Sequence, residues 1–208
     1  MTFITPPLVI RKLLNRYTWK LKGGFKRIYL TFDDGPTPKI TEWVLLQLKK
    51  YDAKATFFCI GRNVERHYKI YNKIISEGHS VGNHTYSHLN GLKTGNREYF
   101  NDIELAGNII KSDLFRPPYG MIKRPQGKKL VKKYNVVMWH VLSYDFAQKI
   151  SPEKCYRNVS RKIRSGSVVV FHDSEKAWDN LNYTLPKILK QFSEKGYKFE
   201  ALNFNINS

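Results

Sequence analysis

Two adjacent carboxylates, Asp33 and Asp34, follow the run Arg-Ile-Tyr-Leu-Thr-Phe and precede Gly35-Pro36. Like charges this close repel, so both ionise cheaply only where something cationic binds one of them. Two histidines, His84 and His88, stand four apart. On a helical turn their rings share a face and can converge on one ion. A catalytic zinc commonly takes three protein ligands and keeps a further position for water. Asp34 or Asp33 would supply the third. The intervening Thr85-Tyr86-Ser87 lacks the Glu of the zinc-peptidase pattern. Singly, the acidic pair reads as a turn and the histidine pair as structural; joined, they favour a metal. Arg116 precedes Pro117-Pro118-Tyr119, Asp145 lies in a short loop, and His172 adjoins Asp173. Each has a plain reading too: Arg116 as a loop anchor, Asp145 as a turn residue bonding its own backbone.

The elements that must carry these residues alternate. Strand-like apolar runs are expected at 27–32, 55–60, 80–82, 114–116, 136–139, 167–171 and 198–202. Helical patterns fall between them at 39–50, 68–77, 97–111, 127–134, 152–163 and 182–195. Thr37-Pro38 reads as an N-cap with Pro at the first helical position. This alternation predicts an α/β fold with a parallel sheet, closed into a barrel or left open. The chemistry-bearing residues follow strand after strand. In parallel α/β folds those ends face one way and form the ligand site.

One domain is expected for 208 residues. Residues 1–26 read as a basic lead-in packed on the domain, and 27–208 as the catalytic unit. Within the lead-in a short helix is expected after Pro6-Pro7. The composition is globular, with 41% hydrophobic residues and no apolar run long enough to span a bilayer. No signal peptide is visible, since no small-residue cleavage site follows an apolar region. Cys59 and Cys155 give no disulfide framework. The formal charge of +19 implies an anionic partner or surface. It concentrates in residues 11–27 and 123–133. Acidic glycan, anionic lipid and nucleic acid are all compatible with it. Nucleic acid is disfavoured, because no zinc-finger or RNA-recognition signature is present.

Taken in order, the motifs resemble the polysaccharide deacetylases of carbohydrate esterase family four. Thr31-Phe32-Asp33-Asp34-Gly35 looks like the first motif, His84-Thr85-Tyr86-Ser87-His88 like the second and Arg116-Pro117-Pro118-Tyr119 like the third; Val170-Phe171-His172 is close to the fifth. The resemblance spans about residues 28–202. It implies a distorted (β/α) barrel of about seven parallel strands. It implies metal-dependent removal of N-acetyl groups from N-acetylglucosamine-containing glycan, of peptidoglycan or chitin type. Asp33 would be the base, His172 the acid and Arg116 the group holding Asp33. Asp34, His84 and His88 would bind zinc, or another divalent ion such as cobalt. The Tyr119 N–H would face the oxyanion, with Pro118 beside it against substrate. Action outside the cytoplasm, and contact of the basic patches with a membrane or cell wall, would fit.

The fourth motif departs. The family pattern resembles Val-Asp-x-x-Asp-Trp, whereas this chain reads Val141-Leu142-Ser143-Tyr144-Asp145-Phe146. Leu142 stands where an Asp is expected to orient the acid histidine. The expectation is that His172 lacks its carboxylate partner unless Asp145 reaches the same ring nitrogen. An impaired glycan-binding relative is the alternative that follows. Tyr86 and Trp178 are expected to stack on sugar, and Trp43 and Trp139 to be core.

Overall fold

The computed structural model describes residues 3–21 and 26–204. Lys22 of the basic lead-in lies outside the described residues. A short helix α1 (Leu8–Leu13) precedes the central strand β1 (Arg27–Asp33). Then come α2 (Ile40–Lys49), β2 (Ala55–Cys59), α3 (Gly61–Arg66), α4 (Tyr68–Ser76) and β3 (Ser80–Asn83). Next are α5 (Asn96–Ile109), β4 (Leu114–Phe115), α6 (Arg124–Leu130), β5 (Asn135–Val136) and β6 (Val141–Leu142). The chain ends in α7 (Pro152–Ser160), β7 (Ser167–His172), α8 (Trp178–Glu194) and β8 (Lys198–Phe199).

The strands pair in parallel in the order β5-β4-β3-β2-β1-β7-β6, with β8 added beside β1. The expected strand at 136–139 is instead the middle of a longer, split segment. Its first piece, β5 (Asn135–Val136), pairs β4, and its second, β6 (Val141–Leu142), lies beyond the expected strand and pairs β7. One bent segment therefore touches both edges of the sheet and curls it into a distorted barrel of seven strands, counting the split one once. Helix α3 has no counterpart in the sequence pattern; its Gly61-Arg62-Asn63 start gives little helical signal. The lead-in runs along the seam. Thr18 N donates to Val136 O, and Met138 N donates to Thr18 O. Gly127 admits the Tyr17 hydroxyl, because a Cβ there would meet that oxygen at 2.0 Å.

Strand alternation sorts β1 into two faces. Ile28, Leu30 and Phe32 point to the outer helices. They join Phe57, Phe171, Val44, Leu185 and Leu189 in the larger core. Phe32 stacks between Phe57 at 5.0 Å and Phe171 at 6.0 Å. Tyr29, Thr31 and Asp33 fall on the other face, into the barrel. Tyr29 meets Phe58, Leu114 and Val168 there. Farther up, Val170, Leu142, Trp139 and Phe115 fill the interior. The inward row of β1 thus runs from apolar to acidic and ends at Asp33.

Candidate active site

Asp33 and His172 are register partners across β1 and β7. Each is the last residue of its strand, and both face into the barrel mouth. Arg116 is the largest fully buried side chain. Its Nη1 donates to Asp33 Oδ1 at 2.6 Å and to Thr31 Oγ1 at 2.7 Å. Its Nε and Nη2 donate to Val137 O at 3.1 Å and Met138 O at 3.0 Å. The guanidinium also lies over the Phe58 ring at 4.1 Å. A buried charge survives only when paired and hydrogen-bonded, and this one is both.

His84 to His88 form a loop rather than the expected helical turn. Thr85 and His88 take left-handed backbone, with φ of 63° and 60°. Polar side chains impose this course. Asn83 Oδ1 accepts from Thr85 N, a local turn that asparagine favours. Asp102 Oδ2 accepts from both Tyr86 N and Ser87 N. The rings still converge: Asp34 Oδ1 lies 3.2 Å from His88 Nε2 and 3.8 Å from His84 Nε2. His84 turns its Nδ1 to Arg116 O at 2.7 Å, which leaves Nε2 for the centre.

These three donors fit a metal. Their ligand atoms all lie within 4.8 Å of one another. Ligands around a tetrahedral zinc at roughly 2.0–2.2 Å stand about 3.3–3.6 Å apart. Asp34 Oδ1 is buried without a completed hydrogen bond, an acceptor waiting for a partner. Burial works to raise the Asp34 carboxyl, but the His88, His172 and His84 rings outweigh it and hold it well below the usual carboxylate range. Burial, the dominant effect, pulls His84 down to about 4, which keeps the imidazole neutral as a ligand must be.

The departure at Leu142 has a structural answer. Asp145, fully buried, reaches His172 Nδ1 at 2.7 Å and also accepts from His172 N at 2.7 Å. Asn180 holds the Asp145 carbonyl at 2.8 Å. Of the two outcomes expected at Leu142, the structure shows the second: three residues on, Asp145 reaches the same ring nitrogen. Burial disfavours the charged imidazole, yet Asp145, by charge and hydrogen bond, with Asp34 and Asp33 behind it, raises His172 to about 9. Phe146 meets that ring edge-on at 4.8 Å. Leu142 joins Trp139 and Val170 in an apolar wall.

Asp33, Asp34, His84, His88, Arg116, Tyr119 and His172 line one cavity of about 410 Å³. Tyr119 has φ 61° and is 57% exposed at the rim. Pro118 is buried, and Pro117 lines the cavity in its place. Trp139, expected as core only, also forms cavity wall. Tyr86 and Trp178 do not line it. Tyr86 bonds Glu65, and Trp178 packs on Trp43 at 5.1 Å. Asp173 is a site residue that the motifs do not single out. Its carboxylate accepts from Gly35 N at 3.1 Å and from Thr41 Oγ1, and its N–H donates to Asp33 O at 3.1 Å. It thereby ties the acidic pair to β7. Gly35 must be glycine, since a Cβ would meet Asp173 Oδ2 at 2.0 Å.

The sequence profile described as "Polysaccharide deacetylase" matches residues 20–139. A peptidoglycan-N-acetylglucosamine deacetylase of Bacillus cereus is 35% identical over 195 residues, 89% of this chain and 91% of that one. The crystal structure of the Bc1960 peptidoglycan N-acetylglucosamine deacetylase, in complex with an N-hydroxybenzamide, superposes with TM-score 0.85 at 32% identity and covers 95% of each chain. A pseudoenzyme of the same carbohydrate esterase family from Bacillus anthracis gives TM-score 0.78 at 25% identity, over 88% of this chain and 66% of that one. With the motifs in order, the barrel and the shared cavity, this chain belongs to the polysaccharide deacetylase family.

Proposed function

We propose that the chain hydrolyses the N-acetyl group of N-acetylglucosamine residues in a peptidoglycan-type glycan, releasing acetate. The observation that carries this is the pairing of Asp33 and His172 across adjacent strands, beside the Asp34–His84–His88 donor set. Asp34, His84 and His88 hold a divalent metal in this reading, zinc by the chemistry of the donors. That ion, when bound, supplies Lewis acidity toward the acetyl carbonyl and toward water.

Asp33 takes a proton from the attacking water, held in place by Arg116. The Tyr119 N–H, on its left-handed turn, donates to the developing oxyanion; a donor of this kind is worth about 2.7–4 kcal/mol. His172 protonates the departing sugar nitrogen from Nε2, because Asp145 occupies Nδ1. Trp139, Leu142 and Val170 offer the acetyl methyl an apolar wall and exclude water from it.

The test is acetate release from peptidoglycan and from N-acetylglucosamine oligomers, before and after chelation and with zinc or cobalt restored. Release that chelation abolishes and metal restores is expected. Retention of glycan without release, at any metal loading, would instead assign the chain to the non-catalytic relatives.

A further inference from the structure

The side of the barrel that carries α1 and α7 has features that neither the core nor the cavity uses. Helix α1 rests on the second core through Ile10 and Leu14. Its outer face displays Leu8, Val9 and Leu13, which are 64%, 67% and 75% exposed. At 100° per residue these three and Lys12 fall on one side of the helix. Single exposed leucines need no explanation, but three large apolar residues on one short helix make a patch.

A groove of about 480 Å³ adjoins this segment. Ile4 forms one wall, and Lys154, Arg157, Arg161 and Lys162 form the other. No carboxylate lines it. Among the described residues, no ion pair with a carboxylate involves Arg11, Lys12, Lys154, Arg161 or Lys162. Arg11 also crowds the seam together with Lys20 and Arg164. Burial first, and then these three cations, push His140 down to about 4. Helix α1 thus presents an apolar crest flanked by Lys12, and Ile4, just before it, lies in a groove whose other lining includes Lys154, Arg157, Arg161 and Lys162.

We propose that this face docks on the surface of an anionic phospholipid bilayer. The leucines and valine enter the acyl boundary while the flanking Lys and Arg meet headgroup phosphates. A soluble polyanion would satisfy the cations and leave the apolar crest in water; only a membrane uses both. The docking face also adjoins the catalytic cavity. Phe3 O accepts from Trp139 Nε1 at 3.4 Å and Ile4 O accepts from Leu142 N at 2.8 Å, and both Trp139 and Leu142 are cavity wall. Docking therefore brings the cavity alongside the bilayer.

The experiment is co-sedimentation of the full chain with phosphatidylcholine vesicles, with and without about one-third phosphatidylglycerol. Binding to the anionic vesicles is expected, weakening as salt rises. Each cation held at the surface contributes about five-fold, so Arg157→Glu with Arg161→Glu should weaken binding at least about twenty-five-fold. Leu8→Ser, Val9→Ser and Leu13→Ser together should weaken it about ten-fold or more. Leu13→Trp provides a readout without disrupting the patch: the emission of the introduced indole should shift to the blue and be quenched by lipid brominated on the acyl chain. No binding to anionic vesicles would overturn the proposal. So would loss with the charge reversals but none with the serines and no quenching in the Leu13→Trp variant, which would mark a polyanion site instead.

Discussion

His172 and Asp145 are joined twice, ring nitrogen to Oδ1 and backbone N–H to Oδ2, each at 2.7 Å. The pair fixes both the tautomer of the ring and the course of the chain after β7. The carboxylate partner of the acid is thus present, three residues beyond Leu142. An Asp introduced at position 142 is therefore not needed to supply that partner.

Asp145→Asn should move the alkaline limb of acetate release. On the proposed mechanism the working acid is protonated His172, raised to about 9, so activity is present below that pH and lost as pH climbs through it. Removing the Asp145 charge leaves burial, which lowers the ring, and the limb should fall toward or below the ordinary value of about 6.5. A bound cation offsets the help from Asp34, so the limb of the metal-loaded enzyme should sit between these limits. A pH–rate profile of both proteins checks this. An unmoved limb in Asp145→Asn would remove His172 from the acid's role.

Leu142→Asp should leave that limb where it is and cost stability. Leu142 is buried against Trp139 and Val170, and an added carboxylate there lacks the apolar fit. A loss of roughly 1–3 kcal/mol is expected in denaturant unfolding. A gain in stability, with a new pairing to Arg116, would count against this view of the wall.

Arg116→Ala should remove activity and destabilise the barrel by about 3–5 kcal/mol, since it strands the Asp33 carboxylate in a buried site. Arg116→Lys should recover little of either, because an ammonium cannot reach Thr31, Asp33 and two main-chain carbonyls as one planar fork does. Urea unfolding with parallel acetate assays distinguishes the two losses.

His84→Ala and His88→Ala should each abolish retention of one equivalent of metal, measured by elemental analysis after desalting. The fold should survive, as seen by circular dichroism, because neither side chain belongs to the apolar clusters of the core, although His84 is buried. Retained metal in either variant would break the proposed donor set.

Gly35→Ala should cost more than an ordinary loop substitution. The new methyl would overlap the Asp173 carboxylate and push the acidic pair away from β7. A fall in acetate release with metal still bound would place the damage at Asp33. Full activity would show that the turn can yield.

The parallel α/β alternation is legible in the sequence because β1 and β7 are long, apolar and bounded by clear turns. The site is legible because its residues follow strand ends. The split at β5 and β6 is not, since an apolar run gives no sign that its two halves pair with opposite edges. The loop form of His84–His88 is not either, because its shape is set by Asn83 and by Asp102, sixteen residues from Tyr86. Asp145 is legible as a candidate partner, but whether it reaches His172 is not: a left-handed Tyr144, with φ 60°, redirects the loop and brings the carboxylate to the ring.

The in-register neighbours Asp33 and His172 carry one more implication, for how such an enzyme could be rebuilt. Their separation is set by the hydrogen-bonded ladder and not by any surrounding loop. Connections on the rim that carry none of Asp34, His84, His88, Tyr119 or Asp145 can be lengthened, shortened or exchanged to suit a different sugar without moving this pair, whereas the loop bearing Asp145 cannot. Deleting a single residue inside either strand is another matter, since it would swing one partner out toward the helices. Designers grafting new specificity onto this scaffold should keep the two central strands and the loops bearing His84, His88, Tyr119 and Asp145, and vary the remaining rim segments.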